Sequence, residues 1–144
     1  DLVVIDLFAG EVTPSHVLSL ESFLQAKSLL SDSGFIFINT YGYLESQSGK
    51  GNQILLNTLK QAGFNYTICF SGDEEHEDYR NLLLFASVKP QSNLYHSLPA
   101  TKIPSFETTA ITTDDKPTIE FANANAVKRW RYSYLKDFIL YKTQ

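Results

Sequence analysis

The chain has 144 residues, 43% of them hydrophobic and 19% charged, with a formal net charge of −4. That composition excludes a disordered chain, and the length suits one domain with a real core. No apolar run approaches the roughly 20 residues that cross a membrane, so this segment is expected to have no membrane part.

Partners and setting are bounded in the same way. Basic residues cluster only at Lys128, Arg129 and Arg131, which argues against a nucleic-acid surface on an acidic chain. The single cysteine, Cys69, excludes an internal disulfide and fits a reducing, cytoplasmic setting. The histidines, His16, His76 and His96, have no zinc-ligand spacing, so no metal is expected. The chain contains no methionine and opens directly in a strand, which reads as the later part of a longer protein.

The first stretch, DLVVIDLFAG, organises the rest. Its apolar run Leu2 to Ile5 predicts a strand buried on both faces, as in parallel sheets. Asp6 follows at the carboxyl end, where open α/β sheets bind their ligands; the alternative is an acid that only turns the chain. Thr13-Pro14 signals a helix start. A helix is predicted from there to about Leu30, with Leu20, Phe23, Leu24 and Leu30 on its apolar face. Gly34 punctuates it before a second buried strand, Phe35 to Asn39.

Residues 40–51 form a polar loop whose Gly42, Gly49 and Gly51 match neither GxGxxG nor the P-loop spacing. A helix over Asn52 to Ala62 follows, with Ile54, Leu55, Leu59 and Ala62 inward and Gly63 as its stop. Phe64 to Phe70 reads as a third strand. The acidic stretch 71–80 reads as a solvated hairpin loop rather than a cation site. Asn81 to Val88 is apolar throughout and is expected inside the sheet.

Residues 89–105 hold three prolines and read as an extended surface segment. Thr112 to Pro117 is a polar loop. Ala122 to about Tyr141 reads as a helix with Ala126, Trp130, Tyr134 and Phe138 at four-residue spacing, a core or subunit-contact stripe. The order strand–helix–strand–helix–strand–strand gives an α/β fold: half of a doubly wound, Rossmann-like sheet, mainly parallel, with a terminal antiparallel hairpin and a C-terminal helix. Residues 1–122 are assigned to the sheet domain and 123–144 to the C-terminal helix.

A sheet ending in such a hairpin resembles the C-terminal half of the S-adenosylmethionine-dependent methyltransferase fold. The run from Asp1 to Gly42 resembles the spermidine synthase (polyamine aminopropyltransferase) family, in which a strand ending in an acid leads through a Gly/Pro-rich turn into a helix. SGDEEHEDYRNLLLFAS is similar to the family's last hairpin. TTDDKPTIEF resembles a tail motif of spermidine synthase-like proteins.

The resemblance implies that Asp6 is the catalytic carboxylate, lying between an aminopropyl or methyl donor and a small amine acceptor. It implies S-adenosylmethionine or its decarboxylated form as donor substrate, held mainly by residues upstream of Asp1. Asn39 stands where the family usually has glutamine, and Ala9 and Gly10 stand where it has a second acid and a proline. Asn39, Tyr41 and Asp115 are the candidate substrate-binding residues. Asp114 and Asp115 would add negative charge over the cleft, with a plain turn as the alternative. A binding or assembly module that kept the fold and lost the chemistry is the other reading. The first strand, apolar and without lysine or proline, is expected to be an edge that seeks a partner, making the chain a homodimer.

Overall fold

Alternation decides how the sheet sits. In β2 (Phe35–Gly42), Ile36, Ile38 and Thr40 are buried, while Phe35, Phe37, Asn39 and Tyr41 are half-buried. The period is two, so one face lies in the core and the other lies open. The computed structural model describes residues 1–8, 12–70, 80–89 and 108–142.

The sheet has four strands in the order β1-β2-β4-β3, with β1 Leu2–Ile5, β3 Asn65–Phe70 and β4 Arg80–Ser87. β1 pairs with β2 in parallel, and β4 pairs antiparallel with both β2 and β3. The expectation of a mainly parallel sheet is thus corrected in one respect. β1, β2 and β3 point the same way, but reversed β4 lies between β2 and β3, so two of the three pairings are antiparallel. The apolar β4 is interior, as its composition implies.

β1 departs from its reading as a strand buried on both faces. Val3 and Ile5 turn toward the core, while Leu2 and Val4 are 53% and 55% exposed. Leu2 and Val4 lie on the open face of the sheet, and among the described residues β1 pairs with β2 alone. An apolar run alone does not distinguish a central strand from an edge strand with one open face.

The helices α1 (Leu20–Leu29) and α2 (Lys50–Gln61) pack on the core face. Phe23, Ile54, Leu55, Leu56 and Leu59 join Ile36, Ile38, Leu82, Leu84 and Ala86 in one cluster. α2 ends as its sequence predicts. Gly63 has φ +82°, its N–H bonds to Lys60 O, and the Phe64 N–H reaches back to Leu59 O. That pair of bonds is the Schellman closure, and the left-handed residue favours glycine.

α1 starts later than Thr13. Ser15–Leu18 form a 3-10 turn, then Ser19 adopts extended backbone and its Oγ accepts from the Ser22 N–H at 3.2 Å. Ser19 Oγ also donates to His16 O at 3.0 Å, so Ser19 is the true cap. Leu24, expected inward, is 47% exposed, whereas its neighbour Phe23, one position earlier on the helix, is fully buried.

The C-terminal helix α3 (Ile119–Lys142) is anchored at its start, where Ile119 and Ala126 are buried. The loop before it forms a clamp centred on fully buried Thr112. The Thr112 N–H donates to Thr58 Oγ1 on α2 at 3.1 Å, and its carbonyl accepts from the Leu20 N–H of α1 at 3.0 Å. Its Oγ1 accepts from the Thr118 N–H at 3.1 Å. At the head of α3, Glu120 Oε1 accepts from the Ser15 N–H at 3.0 Å, while the Glu120 N–H donates to Ser15 Oγ at 3.4 Å. This reciprocal cap joins residues far apart in sequence.

Candidate functional site

The parallel register of β1 and β2 pairs Ile5 with Ile38. Continued past the end of β1, it places Asp6 beside Asn39 and Phe8 beside Tyr41. Side-chain contacts follow that continuation. Asn39 Nδ2 donates to Asp6 Oδ1 at 3.0 Å. The rings of Phe8 and Tyr41 stack with centroids 4.4 Å apart and planes 14° from parallel.

Asn39 and Tyr41 alternate with the core-facing Ile38 and Thr40, so both rungs lie on the open face of the sheet. Two residues of strand separate them, roughly 6–7 Å. The polar rung lies inward, and the aromatic rung lies beyond it toward the carboxyl ends of the strands.

The polar rung is electrostatically simple. Asp6 is exposed and brings a carboxylate that only accepts when ionised. That chemistry fixes the orientation of the Asn39 amide, since a reversed amide would set its oxygen against the carboxylate. The outcome leaves Asn39 Oδ1 buried and without a hydrogen-bond partner. The exposed Asp6 carboxylate is the accessible acceptor here, suited to a donor-rich cation such as an ammonium group.

Three of the residues singled out in the sequence, Asp6, Asn39 and Tyr41, therefore share one patch. Asp115 does not join it. It is exposed on a turn closed by hydrogen bonds between Thr113 and Lys116, and the neighbouring Asp114 N–H donates to Glu21 Oε2 at 3.0 Å. That turn stands over the start of α1, on the helix-covered side of the sheet. The acidic stretch 71–79 lies outside the described residues.

Around the corner from the rungs, Thr13, Thr40, Tyr41 and Asn123 line a small polar cavity under α3. Thr13 Oγ1 is buried in its wall without a hydrogen-bond partner. Phe8 and Thr13 were missed as site residues. The signal for Phe8 is the shared period: it follows Asp6 by two positions, as Tyr41 follows Asn39.

The loop glycines serve packing. A Cβ on Gly49 would lie 2.5 Å from the Leu44 carbonyl oxygen, and one on Gly51 would lie 1.9 Å from Asn123 Oδ1. Neither is set out as a phosphate cradle. Among the described residues there is no group of three His, Cys, Asp or Glu able to hold a metal ion, and no helix long and apolar enough to cross a membrane. No family model, curated protein or solved structure matches the chain.

Proposed function

We propose that this chain carries the acceptor side of a spermidine synthase-like transferase that alkylates a small amine in the cytoplasm. The observation that carries the reading is the Asp6–Asn39 pair, 3.0 Å apart at the carboxyl end of a parallel strand pair. The sheet order, with one reversed strand set one place in from the edge, fits half of a methyltransferase-like sheet.

An amine is a cation at neutral pH and must lose a proton before its nitrogen can attack. Asp6 holds the ammonium group by charge-assisted hydrogen bonding and accepts that proton; the freed nitrogen would then take the donor's carbon as the C–S bond of its sulfonium breaks and a neutral thioether leaves. Asn39 orients the carboxylate through Nδ2. The donor, S-adenosylmethionine or its decarboxylated form, is held by residues other than those described above.

The test is transfer of label from either donor to a panel of amines by the protein that carries residues 1–144. Labelled amine product is expected. No transfer from either donor to any amine overturns the reading and leaves a binding module.

A further inference from the structure

We infer that the outer face of α3 is a docking surface for an amphipathic helix of another protein, one with acidic residues beside its apolar seam. This surface shares no residue with the amine site. Ile119 and Ala126 hold one side of α3 in the core. At about 100° per residue, the opposite side carries positions 121, 125, 128, 132, 135 and 139, whose spacing alternates between four and three. Phe121, Tyr132, Leu135 and Ile139 fill four of these positions, and each is more than half exposed.

That alternation is the pattern of a coiled-coil seam, in which apolar knobs enter holes on a facing helix. The stripe is narrow, and Asn125 and Lys128 interrupt it. A helix lying in a membrane interface presents a broad apolar face instead. On the adjoining side of α3 the rings stack on one another, Trp130 on Tyr134 at 5.5 Å and Tyr134 on Phe138 at 6.4 Å. Contacts one turn apart support the helix that presents the seam. From 121 to 139 the seam runs roughly 27 Å, the length of two to three heptads.

Charge selects the partner. Lys128 lies within the stripe, and Arg131 and Lys136 border it, all three exposed. The other charges of this helix are directed elsewhere. Glu120 Oε1 accepts from the Ser15 N–H, and Arg129 lies over the Tyr43 ring, 4.7 Å from its centroid. Asp137 follows Ile119 by about five full turns, so its position belongs to the opposite side. A lysine within a seam costs stability, and the charges beside a seam set partner choice. In a parallel pair with a second copy, Lys128 would meet its own counterpart. In an antiparallel pair centred on the stripe, it would meet Tyr132. A helix with Glu or Asp at the facing positions answers both Lys128 and Lys136.

Fluorescence anisotropy of two labelled three-heptad peptides, with leucine seams flanked by glutamate in one and by lysine in the other, tests the inference on the 144-residue chain. The glutamate-flanked peptide is expected to bind at least about tenfold more tightly, with a preference that shrinks as salt rises. Joint Leu135→Ser and Ile139→Ser substitution should abolish binding and leave the thermal midpoint unchanged. Lys128→Glu should remove the preference while keeping the seam. Equal binding of the two peptides overturns the inference, as does binding of neither or binding that survives the serine variant. A midpoint that falls in the serine variant also overturns it, because the chain's own residues would then cover the stripe. Binding to vesicles of phosphatidylcholine and phosphatidylserine, without a preference between the peptides, would make α3 a membrane-surface helix instead.

Discussion

Thr58→Val tests the clamp that holds the C-terminal helix to the sheet. Thr58 is fully buried on α2, where Oγ1 donates to Ile54 O at 2.8 Å and accepts from the Thr112 N–H at 3.1 Å. Valine keeps the shape and the β-branch, so neither a cavity nor a large change in helix propensity contributes. What changes is the Thr112 N–H, left buried without an acceptor. Stranding such a donor costs about 1–3 kcal/mol. For a chain of this size each kcal/mol moves the midpoint by about 2–4 °C, so a fall of roughly 2–12 °C is expected. Thermal unfolding followed by circular dichroism reads it directly. Thr58→Ser keeps the oxygen and should retain most of the lost stability despite the missing methyl. A Thr58→Val midpoint equal to or above the parent's would refute the reasoning, because it would mean that the Thr112 bond holds nothing.

Gly49→Ala should destabilise by about 1–3 kcal/mol, the cost of overpacking, because the new Cβ would lie 2.3 Å from the Leu44 carbonyl carbon, a backbone atom with little room to give; chemical denaturation measures it, and an unchanged midpoint would show that the 3-10 turn Gln47–Gly49 yields freely. The open edge of β1, with Leu2 and Val4 each more than half exposed, should make the isolated chain dimeric or aggregation-prone. Sedimentation at tens of micromolar should show this, and Val4→Lys should reduce it; a parent chain that stays monomeric contradicts the expectation.

Legibility followed the range of the interaction that decides each feature. β2 and α2 were readable because their signals are local: the apolar run Phe35 to Ile38, and a glycine placed for the Schellman turn at Gly63; that β2 buries only one face, with Phe35 and Phe37 half-buried, was not. The start of α1 was not, since Thr13-Pro14 and Ser19 both carry cap chemistry and only packing chooses between them. Thr13 ended buried and Ser19 took the cap. TTDDKPTIEF drew attention to its two acids, but its structural weight rests on Thr112, whose partners lie 54 residues away on α2 and further still on α1. No spacing rule in the sequence reveals such a bond. The Asp6–Asn39 contact was half legible: Asp6 follows the end of β1, and parallel pairing with β2 sets it beside Asn39, which lies inside a strand that runs on to Gly42 rather than ending at Asn39. Phe8 and Tyr41 obey the same register, yet a phenylalanine after an acid carries no chemical flag until its stacking partner is seen.

The central claim is that Asp6 takes the proton of a bound amine. Turnover of the protein carrying these residues, compared with its Asp6→Asn variant at saturating amine, tests it most directly. Asparagine keeps the size and loses the base, so a fall of at least about a hundredfold is expected while the circular dichroism spectrum stays unchanged. Turnover unaltered in Asp6→Asn would contradict the claim and return Asp6 to a turn-forming role after β1.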